Sequence, residues 1–241
     1  MSNVIFGHHP VAEAIEAGAS IEKILLRQGH KPDRIFGAAR KAGLPIQFVP
    51  EVRLDKVTRG ANHQGVVALI SQITYQNLED VILAVQEKGE MPLFVMLDGV
   101  TDVRNFGAIA RTAECLGAHA LIIPRQGSAS VNADAVKTSA GALLHIPVCR
   151  EDVLMDSLLM LEAYGIFSYA VSEKASKSVY DTNLKGSCCL IMGSEDKGIS
   201  AQLLKKADYL IKIPMTGQVS SLNVSVAAAI TIAEAARQRN S

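Results

Sequence analysis

An α/β architecture with mainly parallel sheets follows from three features of this sequence. Short apolar segments alternate with helical patterns along the chain. No apolar run approaches the ~20 residues that span a bilayer. Polar or glycine-bounded turns follow several of the apolar segments, where open parallel sheets place their ligand sites.

The first strand candidates are Lys23–Leu26, Ile46–Val49 and Val66–Ile70, with helices starting near Val11, Pro32 and Leu54. Further on, strands are predicted at Leu93–Leu97, Ala120–Ile123, Ile166–Val171, Leu190–Met192 and Leu210–Ile213, most of them followed by helical segments. Between the two groups, Leu78, Val81, Ile82 and Val85 fall at helical spacing and lead into the polar run Gln86–Glu90. This divides the chain into a domain over residues 1–72, a helical linker over 73–89 and a second domain over 90–241. No internal repeat or low-complexity tract interrupts either part.

Net charge is zero, so the whole chain carries no polyanion footprint. The distribution is uneven. Residues 21–60 hold nine basic residues, among them Lys23, Arg27, Arg53, Lys56 and Arg59, against only Glu22, Asp33, Glu51 and Asp55. A local nucleic-acid surface fits this excess, and so does an ordinary solvated helix face. The four cysteines form no CxxC pair. Cys188 and Cys189 are adjacent and would point to opposite faces of a strand, so reduced thiols without a metal are expected. The N-terminus has no basic stretch leading into an apolar one, and a soluble cytoplasmic protein is the expectation.

Three segments carry groups that a plain core does not need. In the first, residues 98–113, a strand runs through a polar loop into a helix beginning near Asn105, a good N-cap. Arg111 lies six residues on, charged among Ile109, Ala110 and Ala113. The second, Gly193–Ser200, nearly fits the phosphate loop G-x-x-x-x-G-K-[ST]. Ile199 holds the lysine position, however, and Glu195 and Asp196 would repel a triphosphate. There is no G-x-G-x-x-G, which disfavours a dinucleotide enzyme. In the third, residues 211–227, a strand stops at Pro214 and a small-residue loop leads to a helix that Ser221 can cap. That helix is apolar on most faces, which predicts burial on all sides, in part against a second subunit. Asn223 in its first turn is a polar group that needs partners.

In order, these three segments resemble the signature motifs of the SpoU/TrmH branch of the SPOUT methyltransferases, from about Leu93 to Arg239. Ile5-Phe6-Gly7-His8-His9-Pro10-Val11 and His63-Gln64-Gly65-Val66-Val67-Ala68 resemble that family's substrate-binding domain, so the likeness covers nearly the whole chain. The subgroup most similar is the bacterial 23S rRNA guanosine-2′-O-methyltransferases.

The resemblance implies a C-terminal α/β domain with a deep trefoil knot, a small N-terminal α/β RNA-binding domain and a homodimer joined through the knotted domain. It implies S-adenosylmethionine as cofactor, held at Gly193, Ile213, Met215 and Leu222, with Pro214 continuing the wall. It implies catalytic roles for Asn105, Arg111, Glu195, Ser221 and Asn223. The substrate would be RNA, with 23S rRNA favoured over tRNA and DNA excluded because the 2′-OH is the acceptor. Arginine is too basic to act as a general base, so Arg111 is expected to clamp phosphate and ribose oxygen as a fixed charge, positioned by Glu195, Ser221 and Asn223. A non-catalytic RNA-binding protein of the same fold is the competing expectation.

Overall fold

In the computed structural model, residues 4–219 and 221–240 are described. The chain divides into two compact units. One runs to Thr74 and includes Ser130–Asn132. The other comprises Tyr75–Ala129 and Ala133 onward.

The first unit contains β1 (Val4–Phe6), α1 (His8–Glu16), β2 (Ile21–Arg27), α2 (Asp33–Lys41), β3 (Ile46–Val49), α3 (Glu51–Thr58) and β4 (Val66–Ile70). Its sheet has the order β1-β4-β2-β3. The expectation of mainly parallel sheets is corrected here: β2 and β3 pair in parallel, but β4 runs antiparallel to both β1 and β2. The alternation of strand and helix counts elements without giving their direction. Val11, Ile15, Ile24, Leu26, Ile35 and Val66 form the core on one face of this sheet, and Leu25, Val49, Leu54 and Val67 form it on the other. The alternation along β2 from Ile24 to Leu26 produces this two-faced burial.

The second unit contains α4 (Leu78–Glu87), β5 (Leu93–Asp98), α5 (Val103–Cys115), β6 (Ala120–Pro124), α6 (Ala133–Thr138), β7 (Val148–Glu151), α7 (Leu154–Ala163), β8 (Phe167–Val171), β9 (Lys177–Ser178), β10 (Cys188–Gly193), α8 (Ala201–Lys206), β11 (Tyr209–Lys212) and α9 (Val224–Arg239). Its seven strands are ordered β7-β6-β5-β10-β8-β11-β9, and every pairing between them is parallel. The centre is β5 and β10, whose runs Leu93–Leu97 and Cys188–Met192 are buried throughout, as strands covered on both faces require. Leu78 and Ile82 of α4 pack into the same core as Phe94 and Met96, so this helix is an integral part of the second unit. The chain order turns around between β5 and β10: β6 and β7 extend to one side, the later strands to the other. Such a switch point opens a crevice at the C-terminal strand ends.

Two helix starts differ from expectation. Asp102, not Asn105, caps α5. Its Oδ1 accepts from the backbone N–H groups of Arg104 and Asn105, each at 2.9 Å. A carboxylate at this position also faces the positive end of the helix dipole, which favours it over an amide. Asn223, not Ser221, caps α9 through its Oδ1, which accepts from the N–H of Ser225 at 2.9 Å. Within one chain α9 keeps an open side. Val226 is 45% exposed and Ala233 lies on the open side, whereas Val224, Ala228, Ile232 and Ala235 are buried. Among the described residues, no helix is long and apolar enough to cross a membrane.

Candidate active site

At the C-terminal ends of β5, β10, β8 and β11, four neighbours in the sheet, the chain leaves the strands through Asp98, Gly193, Val171 and Lys212. A pocket of about 570 Å³ opens there, within the usual size of a small-molecule site. The segments that follow β8 and β10, the stretch after β11 and the start of α9 line it.

The wall after β10 is a tight turn. Ser194 and Gly198 exchange backbone hydrogen bonds at 3.2 and 2.9 Å, and Ser194 Oγ accepts from the N–H of Lys197. Gly198 takes φ +66°, a conformation that glycine adopts freely. Gly193 faces this turn so closely that a Cβ there would lie 2.1 Å from the carbonyl carbon of Gly198. Asp98, across the sheet from Gly193, accepts from the N–H of Ser200 at 2.7 Å and ties the far end of the turn to β5. The opposite wall is apolar, with Ile213, Met215 and Leu222. Met215 and Leu222 remain 39% and 38% exposed, which leaves apolar surface for a ligand.

All four residues expected to hold a cofactor, Gly193, Ile213, Met215 and Leu222, line this pocket, as do Glu195, Ser221 and Asn223. A second cavity of about 350 Å³ adjoins Glu195 from the other side and is lined by Gly99, Thr101, Asp102 and Asn105. Between them, the Asn223 side-chain nitrogen donates to Asn105 Oδ1 at 3.1 Å and to the Glu195 carboxylate. Because Asp102 caps α5, the Asn105 side chain is free for this bond. Arg111 is not brought to either lining. It lies exposed on α5, six residues beyond Asn105, and makes no ion pair among the described residues. Among the described residues of one chain, Glu195, Ser221 and Asn223 therefore line a pocket that meets Asn105 through Asn223, and not Arg111.

Sequence reasoning missed the segment after β8 and gave Asp98 no role. Ser172–Lys174 line the pocket from the end of β8, and Asp98 anchors the turn. Ser172–Lys174 follow the buried strand β8, so the rule that singled out the other segments would have found them.

The donor set suits S-adenosylmethionine. The apolar wall of Ile213, Met215 and Leu222 can take a flat ring, and the polar turn after β10 lines the other part of the pocket. The fold and site together define a cofactor-binding α/β enzyme. The chain belongs to the SpoU rRNA Methylase family, which residues 92–233 match, and residues 4–76 match the RNA 2′-O ribose methyltransferase substrate binding family. It is an RNA methyltransferase by family. It is 38% identical over 248 residues to the 23S rRNA (guanosine-2′-O-)-methyltransferase RlmB of Photorhabdus laumondii, with 100% of each chain covered. Identity to the RlmB of Escherichia coli K12 is 35% over 247 residues, again with 100% of each covered. Among solved structures, the SpoU methyltransferase AviRb from Streptomyces viridochromogenes, in complex with the cofactor AdoMet, superposes with a TM-score of 0.63 at 26% identity. The match covers 98% of this chain and 90% of AviRb.

Proposed function

We propose that this chain transfers a methyl group from S-adenosylmethionine to the 2′-oxygen of a guanosine ribose in 23S rRNA. The observation that carries the reading is the Asn223 amide, which joins Asn105 and Glu195 at the boundary of two adjacent cavities. One cavity has the apolar wall that a cofactor needs, and the other is polar enough to receive a ribose. The relatives named for guanosine-2′-O methylation match over their full length, which supports the substrate.

Bound S-adenosylmethionine would supply the methyl group and leave as the neutral thioether, while the 2′-hydroxyl proton passes to solvent. Gly193, Ile213, Met215 and Leu222 would hold it, chiefly through backbone and apolar contact. Asn105, Glu195, Ser221 and Asn223 would orient the ribose toward the cofactor pocket, with little entropy left to lose. Arg111 clamps the phosphate and the ribose oxygen as a fixed positive charge, which stabilises the developing alkoxide. It reaches the pocket from a second copy of the chain. The exposed Val226 provides apolar surface for that homodimer. The reading includes a knotted path for the segments around Gly193 and Ile213, and a cytoplasmic enzyme.

Mass-spectrometric mapping of ribose methylation in rRNA and tRNA, from cells with and without the gene, tests this. One 23S guanosine should lose its methyl group. An unchanged rRNA map defeats the reading, and a loss confined to tRNA moves the substrate.

A further inference from the structure

The first unit holds a polar cavity that methyl transfer leaves unused. It measures about 420 Å³, and its lining includes Arg27, Glu51, Asp55, Asn62, His63 and Gln64. The loop that closes it is held in a defined shape. Arg59, Gly60, Gln64 and Gly65 all take positive φ, and two of these residues lack glycine's freedom. His63 is buried, and its Nδ1 accepts from the N–H of Gly65 at 3.0 Å. The ring proton therefore sits on Nε2, which donates to Asp55 Oδ1 at 3.0 Å. A Cβ at Gly65 would come within 2.8 Å of the His30 ring, so that ring packs directly on the loop. Gln64 Oε1 accepts from the backbone N–H of His8 at 3.0 Å.

This framework leaves specific groups available. The Asn62 side chain is exposed and has no hydrogen-bond partner among the described residues, and the Gln64 side-chain nitrogen donates to none of them. Arg27 and Glu51 are paired at 3.2 Å but remain 44% and 56% exposed, open enough to take a further partner. Two carboxylates in the lining make the cavity a poor receptor for phosphate. A mixed set of carboxylate, guanidinium and amide matches the edge of a nucleobase. Guanine fits best: its adjacent N1–H and N2–H donors suit a carboxylate, and its O6 and N7 acceptors suit a guanidinium or an amide. Phosphates flanking such a base would find Arg53 and Lys56, exposed on the same helix and in no ion pair among the described residues.

We propose that this cavity takes one unpaired guanine base of the RNA substrate, read by Glu51, Arg27 and Asn62. The proposal rests on the reading that RNA is the substrate. It assigns recognition, separate from chemistry, to residues of the first unit.

Fluorescence anisotropy with the full chain tests it, using 5′-fluorescein-labelled AAGAA and AAAAA pentaribonucleotides. The guanine-containing oligomer should bind about tenfold tighter, the discrimination expected of one well-matched base contact. In Glu51→Gln and Asn62→Ala the preference should fall below about twofold, while calorimetric affinity for S-adenosylmethionine stays at the wild-type value and verifies the fold. Equal binding of the two oligomers by the wild type, or an undiminished preference in both variants, overturns the proposal. A wild-type chain that methylates 23S rRNA without preferring guanine overturns this inference alone. One that prefers guanine without methylating 23S rRNA overturns only the reading of the catalytic substrate.

Discussion

The side-chain nitrogen of Asn223 donates to Oδ1 of Asn105 across 118 positions of chain, while Oδ1 of the same Asn223 caps α9. One amide therefore fixes the start of a helix and spans the boundary between two cavities. Replacing it separates these roles. Asn223→Ala loses both, and the cap alone is worth about 1 kcal/mol. Asn223→Asp keeps the cap but removes the two donors and sets a carboxylate against Glu195. We expect Asn223→Asp to melt near the wild type and to lose turnover on the order of 10²-fold, the scale of one positioned donor. Thermal denaturation beside steady-state methylation checks this. Equal activity in Asn223→Asp and wild type would leave the bridge without a role in the reaction.

Arg111→Ala should bind S-adenosylmethionine normally by calorimetry and lose methyl transfer, because the side chain lines neither cavity of its own chain. Arg111→Lys separates a point charge from a planar fork: recovery of most of the rate would favour the point charge. Mixing Arg111→Ala with an inactive Asn223→Asp chain gives the sharper result. If Arg111 serves the partner's pocket, mixed dimers hold one site with both residues intact and regain activity. No recovery on mixing would place Arg111 in the site of its own chain.

Gly193→Ala should abolish cofactor affinity. The added Cβ would lie 2.1 Å from the Gly198 carbonyl carbon and 2.2 Å from the Ile199 nitrogen, both backbone atoms that cannot swing aside as a side chain would. Overpacking of this kind costs about 1–3 kcal/mol, and the turn carrying Glu195 must shift to relieve it. Calorimetry with S-adenosylmethionine and urea denaturation report the two effects. Wild-type affinity in this variant would show that the turn does not shape the pocket.

The buried strands Leu93–Leu97 and Leu190–Met192 were legible because a strand covered on both faces must be a continuous apolar run. The same physics hid β1, β7 and β9, which are short or carry polar residues such as Arg150, Lys177 and Ser178. The segments that carry the site were legible as polar or glycine-bounded interruptions after strands; the family resemblance named the residues within them, and seven of these, from Gly193 to Asn223, line one pocket. Which residue caps each helix was not legible. Asp102 competes with Asn105, and Ser221 with Asn223, within two or three positions, and only the three-dimensional path decides which side chain meets free N–H groups. The antiparallel run of β4 was hidden for a related reason: direction is set by the loop Arg59–Gly65, whose positive φ values at Arg59 and Gln64 fall on residues that do not announce them.

Arg239 should be a major stabilising residue of the C-terminal helix. Its guanidinium donates to the carbonyls of Met91, Pro92, Leu184 and Gly186, which binds the end of α9 to the segments that lead into β5 and β10. No lysine could reach four acceptors in this planar arrangement. Arg239→Lys and Arg239→Ala should lower stability by about 2–4 kcal/mol, given that each hydrogen bond from a charged donor is worth about 1.5–3 kcal/mol and water recovers part of the loss. Urea titration measures it. A change below about 1 kcal/mol in Arg239→Ala would mean that water replaces the guanidinium at little cost.

Acid sensitivity should centre on Glu234. Hydrogen bonds from Arg237 and then from Gln238 hold its carboxyl down to about 2, below the ordinary value of 4.5. Gln238 in turn donates to Thr182 O at 2.9 Å and accepts from Leu184 N–H at 2.8 Å, so the carboxylate anchors α9 to the segment before β10. The native state binds this proton more weakly than the unfolded chain does. The stabilisation is therefore complete above the unfolded value and is lost as pH falls from about 4.5 toward 2. Glu234→Gln should be less stable than wild type at pH 7 and should flatten the acid limb of the stability profile. Urea midpoints measured from pH 7 to pH 2.5 follow both effects, and parallel profiles for the two proteins would remove Glu234 as the source of the acid response.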